Sequence, residues 1–564
     1  MKKRSPNIKK IEKTHLKPIG EIAQSAGIRK KFLQEHGPYK AKISLDILKG
    51  LKKKGKYVLV TSITPTPFGE GKTLTAIGLS MAFKKLKKKA LSCIMQPSLG
   101  GLFGIKGTAT GSGASRVFPA EDANLYLTGD LYATQAAHNL CAAYMDNSIF
   151  KDNPLDIDAE SITWKRAISA NDRSLRSINI GLGSKTDGIS RKTGFDITAS
   201  SELMSILALA GDLKDLRERI GKIVIGFTKK GKPVTCEDIK VAGAMTVLMK
   251  DAIKPNLLQT TEHTACLMHT DSCANISLGT GSIVADKIAL GISDYAIVET
   301  GFGADMGAEK FFDIKCRASG LKPDAAVIVC STRAFKMHSG DFEITTIKPP
   351  REITRENISA IERGLSNLEK QIRNLRTFGI PVVVCINRFS TDTDKEIHAI
   401  KCRAIDLGAN SVAVSDAWKT GGQGGIELAE NIIEACKIKH DFRFLYPLDM
   451  PIKDKIRRIA RTIYGAGDVA FSDQANKKAL IFKKLKFDNL PICMAKTHLS
   501  LSHNPKRKGR PHGFKFPVED IRLYRGAGYI SVFCGNVKTL PGLPKIPRGT
   551  KIDINEDGKI TGLF

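Results

Sequence analysis

The segment from Thr64 to Thr73, which reads TPTPFGEGKT, has the residue types and spacing of a phosphate-binding loop. It follows a short apolar run and precedes a helix-like run. A glycine-rich turn between a strand and a helix directs backbone N–H groups and the helix N-terminus toward bound phosphates. Lys72 would add positive charge at the β- and γ-phosphates, and the Thr73 hydroxyl could bind Mg²⁺.

Thr66 stands where the usual G-x-x-x-x-G-K-[ST] pattern has its first glycine. A purely structural turn rich in proline and glycine is therefore the alternative interpretation. The agreement between the motif and its strand–turn–helix context favours phosphate binding. The residues predicted to contact the nucleotide are Thr66, Pro67, Phe68, Gly69, Glu70, Gly71, Lys72 and Thr73.

Short apolar runs rich in β-branched residues alternate with helix-like segments along most of the chain. This alternation predicts an α/β fold with a P-loop NTPase-like, doubly wound and mainly parallel sheet. Ligands of such sheets bind at the carboxyl ends of the strands. The predicted strands are residues 57–63, 90–95, 295–299, 325–330, 381–386 and 411–414.

The 564 residues are enough for several domains. We predict a nucleotide-binding domain at residues 1–365, with an inserted lobe at about 116–266. An α/β domain at residues 366–450 follows. From about residue 452 the pattern changes to a helical period and then short strands, which predicts a small α+β domain at residues 451–564.

Composition excludes several classes of protein. Apolar residues make up 42% and charged residues 26% of the chain, as in soluble globular proteins. No apolar run approaches the ~20 residues that a membrane helix needs, and the basic N-terminus lacks the apolar segment of a secretory signal. The twelve cysteines are scattered, without a C-x-x-C pair. This pattern predicts reduced thiols, a cytoplasmic location and no zinc site.

The chain has 88 basic and 57 acidic residues, which gives a formal net charge of +31. Such a charge could serve nucleic-acid binding through phosphate contacts, or it could come from lysines on solvated faces. The basic clusters are dispersed along the sequence, and aromatic residues make up only 6% of the chain. We therefore expect no nucleic-acid partner, although the charge would concentrate anionic substrates near the surface.

Several long sequence segments occur in an order that identifies a family. From about residue 19 to residue 564 the chain resembles formate–tetrahydrofolate ligases, also called formyltetrahydrofolate synthetases. The segments that carry the resemblance are TPTPFGEGKT (64–73), FGIKG (103–107), LTGDLYA (127–133), GFDIT (194–198), ETGFGADMGAEKFFDIKCR (299–317), INRFSTDT (386–393), FLYPLD (444–449), ICMAKT (492–497) and the closing PGLPKIPRGTKIDINEDGKITGLF (541–564).

The resemblance implies a three-step ligation in the cytoplasm. ATP phosphorylates formate to formyl phosphate, N10 of tetrahydrofolate attacks the formyl carbon, and phosphate leaves. It also implies Mg²⁺, a homotetramer and folate binding by the domain at residues 366–450, with a monovalent cation as a further candidate cofactor. Formate, ATP and tetrahydrofolate would be the partners, with no membrane.

The resemblance also assigns residues. Phe389 and Trp418 match positions whose rings sandwich the pterin of tetrahydrofolate, with a core tryptophan as the alternative for Trp418. Phe302, in Gly-Phe-Gly, would line the adenine pocket or serve packing. Lys106 and Asp130 lie in matching segments that we expect near the phosphates, with a helix cap as the alternative for Asp130.

The chain departs from the family pattern at residues that we expect near the reacting groups of the substrates. The family pattern Arg-Glu-Pro-Ser-Leu-Gly-Pro here reads MQPSLGG, so Met95 replaces an arginine thought to bind formyl phosphate and Gln96 replaces a glutamate. Methionine cannot make a charge-assisted contact with phosphate. Leu278 stands where relatives have a histidine. Arg116, where relatives usually carry an uncharged residue, is predicted to take over part of the missing arginine's role.

Four functions stay open at this point. The first is an active ATP-dependent formate–tetrahydrofolate ligase, with activity that the changes at Met95 and Gln96 could reduce. The second is a family member that binds nucleotide or folate without efficient formyl transfer. The third is a ligase for another small carboxylate, and the last is a basic nucleic-acid ATPase, which only the charge supports.

Overall fold

A computed structural model of the chain describes residues 15–105, 109–342 and 350–563. The strands are β1 (Leu33–Glu35), β2 (Ala41–Ile43), β3 (Lys56–Ser62), β4 (Ala90–Ile94), β5 (Gly111–Ser112), β6 (Ser115–Phe118), β7 (Arg166–Ile168), β8 (Ile178–Ile180), β9 (Arg191–Thr193), β10 (Phe195–Ile197), β11 (Val224–Phe227), β12 (Pro233–Thr235), β13 (Asn256–Thr260), β14 (Ala265–Met268), β15 (Tyr295–Glu299), β16 (Ala325–Cys330), β17 (Val382–Asn387), β18 (Ser411–Ser415), β19 (Asp468–Phe471), β20 (Ile492–Ala495), β21 (Lys515–Val518), β22 (Asp520–Tyr524), β23 (Tyr529–Phe533), β24 (Asp553–Ile554) and β25 (Ile560–Thr561).

The α-helices alternate with these strands through most of the chain. They are α1 (Ile19–Ala26), α2 (Lys72–Lys85), α3 (Leu99–Gly104), α4 (Ala120–Asn124), α5 (Asp130–Phe150), α6 (Glu202–Leu209), α7 (Leu213–Gly221), α8 (Ala242–Met249), α9 (Ile283–Ile292), α10 (Arg317–Ser319), α11 (Thr332–His338), α12 (Ile358–Thr377), α13 (Asp394–Asp406), α14 (Ala417–Thr420), α15 (Ile426–Ala435), α16 (Ile452–Ile459) and α17 (Asp473–Lys484).

One large sheet organises the molecule. Its strand order is β1-β2-β13-β14-β4-β15-β3-β16-β17-β18, and the β5–β6 hairpin joins it at β13. All neighbours from β14 to β18 run parallel, whereas β1, β2, β13 and β6 pair antiparallel. The predicted α/β fold with a mainly parallel sheet is therefore confirmed. All six predicted strands belong to this sheet.

Helices cover both faces of the sheet, which explains why its strands are continuous apolar runs. Along β3, Tyr57 and Leu59 pack in a cluster with residues of α9 and α12. Val58 and Val60 point to the opposite face and pack with residues of α2 and α15. Because successive side chains of a strand alternate between faces, a single strand contributes to two cores.

The C-terminal region adds smaller sheets, in which β19 pairs with β21, and β23 lies between β20 and β22. Two contacts join it to the segment after β15. Lys496, which follows β20, forms a buried ion pair with Asp305 at 2.9 Å. The imidazole of His498 stacks on the Phe302 ring, with 4.1 Å between the centroids. The C-terminal region therefore packs beside the loop that follows β15.

The predicted domain boundaries stay predictions. Strands β17 and β18 follow the boundary expected at residue 365 but continue the same sheet as β3. Within the described ranges, the structure has no helix that is long and apolar enough to cross a membrane.

Candidate active site

The loop between β3 and α2 is held in shape by a buried carboxylate. Glu70 Oε1 accepts hydrogen bonds from the Thr66 backbone N–H at 2.8 Å and from Thr66 Oγ1 at 2.9 Å, and Glu70 Oε2 accepts one from Ser331 Oγ at 3.0 Å. Burial raises the pKa of Glu70, and the Thr66 hydrogen bonds and the charge of Lys72 oppose that rise. The loop is thus closed on itself and anchored to the end of β16.

Glycine is required at position 71. Its φ is +87°, and a Cβ atom there would lie 2.3 Å from Nδ2 of Asn387. The same Nδ2 donates a hydrogen bond to the Glu70 carbonyl oxygen at 3.1 Å. Asn387 is the last residue of β17, so it connects the loop to the strand beyond β16.

Lys72 begins α2 at the turn of the loop. Its Nζ donates to Ser62 Oγ at 3.3 Å, and Ser62 Oγ in turn donates to the Phe302 carbonyl oxygen at 3.0 Å. The ammonium group therefore lies near the carboxyl end of β3, close to the helix N-terminus that favours anions.

A hydroxyl and a carboxylate meet at the next strand of the sheet. Thr73 Oγ1 donates to Glu299 Oε2 at 2.6 Å, and Glu299 Oε1 accepts a hydrogen bond from the Met95 backbone N–H at 3.0 Å. Glu299 is the last residue of β15 and is buried. Both groups are hard oxygen donors of the kind that Mg²⁺ prefers.

Magnesium commonly uses one or two protein oxygens and completes its shell with phosphates and water. The described residues contain no cluster of three or more His, Cys, Asp or Glu side chains that could hold a metal. Thr73 and Glu299 therefore fit a Mg²⁺–nucleotide complex, in which the phosphates would supply further ligands.

The two aromatic residues follow neighbouring strands. β17 and β18 pair with Asn387 opposite Ser415, so Phe389 and Trp418 both lie just beyond the carboxyl edge of the sheet. Trp418 is 43% exposed, and the Gly113 backbone lies against it so closely that a Cβ there would be 2.8 Å from the indole Cδ1. The Phe389 ring lies against the guanidinium of Arg333, 4.1 Å from the ring centroid. The indole of Trp418 is therefore partly accessible to a ligand, and its pterin contact stays a prediction.

Asp130 lies at the start of a helix that packs beside β13. It is buried at the start of α5, where its carboxylate forms an ion pair with Lys42 at 2.7 Å and accepts a hydrogen bond from Asn256 Nδ2 at 2.8 Å. Asn256 belongs to β13, four positions from β3 in the sheet. These contacts fit a structural role, and no observation assigns Asp130 a contact with the nucleotide.

Arg116 lies in β6, and its neighbours indicate which way it points. The Ser115 side chain lies near Gly78 of α2, and Val117 packs in the cluster that contains α2. Since side chains alternate along a strand, Arg116 points to the other face of the hairpin. The predicted compensation by Arg116 stays a prediction.

The remaining predicted residues fall into different surroundings. Phe302 has φ of +61°, which is uncommon for a residue with a side chain, and its ring packs against His498. This stacking is compatible with both interpretations of Phe302. Leu278 is fully buried in the hydrophobic core. Lys106 lies outside the described residues.

The fold and the site define an α/β protein with a candidate nucleotide loop, a candidate metal pair and two aromatic residues along one edge of a mostly parallel sheet. The model of the formate–tetrahydrofolate ligase family matches residues 6–564. The chain therefore belongs to the formate–tetrahydrofolate ligase family, as the resemblance predicted.

Individual relatives match over nearly their whole length. The formate–tetrahydrofolate ligase of Desulforamulus reducens is 48% identical over all of both chains. Formate–tetrahydrofolate ligases 3 and 1 of Rubrobacter xylanophilus are each 49% identical over 97% of this chain, and the match covers 98% and 97% of those proteins.

The sequence-based prediction assigned no role to four residues of the site: Glu299, Ser331, Arg333 and Asn387. Each lies at the carboxyl end of a predicted strand or within three residues after it. That position was the available signal, because polar side chains at this edge of a parallel sheet face the ligand crevice.

Proposed function

We propose that this chain is an ATP-dependent formate–tetrahydrofolate ligase that produces 10-formyltetrahydrofolate, ADP and phosphate. A formate oxygen attacks the γ-phosphorus of ATP, the bond to the β-phosphate oxygen breaks, and ADP leaves. N10 of tetrahydrofolate then attacks the formyl carbon, phosphate leaves with the C–O bonding pair, and N10 loses its proton. The full-length similarity to several ligases carries the proposal.

The residues of the nucleotide loop have roles that fit this reaction. Backbone N–H groups at the N-terminus of α2 would hold the β- and γ-phosphates, and Lys72 would stabilise the charge on the transferring phosphoryl group. Thr73 and Glu299 would hold Mg²⁺, which when bound supplies charge neutralisation at the phosphate oxygens.

The ring pair supplies the second half of the site. Phe389 and Trp418 would stack on the two faces of the pterin. They would thereby hold N10 at a fixed distance from the phosphoryl group. Such positioning lowers the entropic cost of the transfer step. Assembly as a homotetramer and activation by a monovalent cation are proposed from the family resemblance alone. A cytoplasmic location is proposed from the resemblance and from the scattered cysteines.

The direct test uses purified protein with Mg-ATP, formate and tetrahydrofolate, followed by the absorbance of the cyclised product after acidification. Formate- and ATP-dependent product supports the proposed function. Nucleotide and folate binding without product would instead support the alternative of a binding protein that lacks efficient transfer. Turnover with another small carboxylate, or ATP hydrolysis stimulated by DNA or RNA, would support the remaining alternatives.

Met95 is the observation that favours the alternative of weakened transfer, because its thioether replaces a guanidinium in the family pattern. We expect Met95→Arg to raise formate turnover about tenfold or more, since one charge-assisted contact to a phosphate contributes about 1.5–3 kcal/mol. The measurement is kcat at saturating ATP and tetrahydrofolate. An unchanged or lower rate would mean that the surroundings of Met95 no longer face the phosphoryl group.

Glu299→Gln tests the proposed metal pair. The amide keeps the size of the side chain but removes its charge, so we expect the Mg²⁺ concentration for half-maximal activity to rise about 10- to 100-fold. Asp294→Asn is the matched control, because Asp294 precedes β15 at the opposite edge of the sheet. An equal response of both variants would argue against Glu299 as a metal ligand.

A further inference from the structure

Three consecutive residues at the carboxyl end of β16 contact both halves of the site. Ser331 Oγ donates to Glu70 in the phosphate loop. Thr332 Oγ1 donates to Asp392 Oδ1 at 2.6 Å, in the loop that carries Phe389. Arg333 is the third, and it reaches the aromatic ring itself. The start of α11 therefore contacts both the nucleotide loop and the loop that carries Phe389.

The contact between Arg333 and Phe389 is well defined. The guanidinium carbon lies 4.1 Å from the ring centroid, and Nη2 donates to Thr391 Oγ1 at 3.0 Å. Nε is buried and has no hydrogen-bond partner among the described residues. Burial lowers the pKa of the Arg333 guanidinium, and the charge of Asp392 opposes this shift. The planar group has thus given up part of its hydration to lie on the ring.

The loop under the ring also has anchors that do not involve Arg333. The Phe389 backbone N–H donates to Asp392 Oδ2 at 2.8 Å, and the Arg388 backbone N–H donates to the Ser415 carbonyl oxygen at 3.0 Å. The backbone is thereby fixed, while the orientation of the ring depends on what covers its face. With the guanidinium on one face, a flat ligand can stack only on the other.

A cation on one face of an aromatic ring also changes the opposite face. The guanidinium is attracted to the negative face of the ring quadrupole and draws π-electron density toward itself. Less density on the far face reduces the repulsion that disfavours face-to-face stacking of electron-rich rings. A reduced pterin, which carries several amino nitrogens, is such a ring.

We propose that Arg333 is a positioning residue for the pterin. It holds Phe389 in one orientation, restricts stacking to the face directed away from α11, and strengthens that stacking through its charge. This inference rests on the proposed function, because it takes tetrahydrofolate as the flat ligand.

Arg333→Met tests the inference, since methionine keeps much of the side chain's length and apolar contact but removes the charge and the planar group. We expect the KM for tetrahydrofolate to rise about 3- to 30-fold, the range expected for a cation–π contact that is partly desolvated. The KM for ATP should change less than twofold. Arg333→Lys, which restores the charge without the planar stack, should give an intermediate value.

Arg388→Met is the matched control. Arg388 precedes Phe389 in the chain, but its Nη2 forms an exposed ion pair with Asp394 at 2.9 Å. The control also loses one positive charge, at the residue next to Phe389 in the chain. We expect its KM for tetrahydrofolate to stay within twofold of the KM of the unchanged protein. Equal effects of Arg333→Met and Arg388→Met would mean that Arg333 acts only through its general positive charge. That result would overturn the inference.

A double-mutant cycle separates positioning from a general structural effect. In a Phe389→Leu background, Arg333→Met should have little further effect on the KM for tetrahydrofolate, because the ring on which the arginine acts is gone. An undiminished effect, or an equal rise in the KM for ATP, would contradict the inference. If the unchanged protein neither binds nor formylates tetrahydrofolate, the proposed function itself fails. If the unchanged protein does both and Arg333→Met leaves the KM for tetrahydrofolate unchanged, only the inference fails.

Discussion

Lys72→Met is expected to lower kcat/KM for ATP by about 10²–10³-fold, the usual effect of removing one preorganised group that stabilises transition-state charge. Methionine keeps the aliphatic chain at the start of α2 but removes the ammonium group, whose Nζ lies 3.3 Å from Ser62 Oγ in the structure. Binding of tetrahydrofolate should be retained, because the ring pair lies at the ends of other strands. Steady-state kinetics with ATP as the varied substrate measure the effect.

Lys88→Met provides the control for this variant. Lys88 is exposed in the turn that follows the same helix, at the opposite edge of the sheet. The Lys88→Met substitution removes one positive charge from the protein without changing the loop. The kcat/KM of this variant for ATP should therefore remain within twofold of that of the unchanged protein. A Lys72→Met variant that keeps more than a third of the activity would show that the loop does not act on the phosphates as proposed.

Trp418→Ala is expected to raise the KM for tetrahydrofolate by about 30-fold, since the loss of a large aromatic anchor in an interface typically costs about 2 kcal/mol. Trp418→Phe should restore most of the affinity, because a smaller ring still stacks. The KM for ATP should stay nearly unchanged in both variants. Similar values for the alanine and phenylalanine variants would contradict stacking as the source of the affinity.

The same residue offers a direct binding signal. The chain has two tryptophans, and the other, Trp164, is buried against His138 at a centroid distance of 4.1 Å. In a Trp164→Phe variant, Trp418 would be the single indole emitter, and we expect tetrahydrofolate to quench it in a saturable manner. Absence of quenching in a variant that remains active would place the pterin away from Trp418.

Six of the twelve strands described in the large sheet could be predicted from the sequence to within about a residue at their ends, because strands buried on both faces are continuous apolar runs. The other six, which are β1, β2, β5, β6, β13 and β14, were not predicted. The segment at 295–299 coincides with β15, and the segment at 325–330 coincides with β16. The glycine at position 71 was likewise part of the predicted motif, and the structure supplies its physical reason in the close approach of Asn387.

The contacts that shape the site could not be predicted because they join residues far apart in the sequence. Glu70 binds Ser331, 261 positions away, and Thr73 binds Glu299 across 226 positions. Such pairs depend on strand order, and the local apolar pattern contains no information about which strands become neighbours. Asp130 shows the same limit, since its carboxylate binds Lys42 and Asn256, 88 and 126 positions away. The expected place of Asp130 near the phosphates stays a prediction.

The phosphate loop follows β3, while Phe389 and Trp418 follow β17 and β18, and all four strands from β3 to β18 are consecutive neighbours. The strands that carry the two rings therefore lie two and three strand spacings from β3, or roughly 10 and 14 Å. Loop mutations can move the side chains, but they leave this spacing of the strands unchanged. If the loop and the rings bind their ligands as proposed, a co-substrate would need its nucleophilic nitrogen at a matching distance from its ring system, and the strand order would then contribute to selection among amines by molecular length.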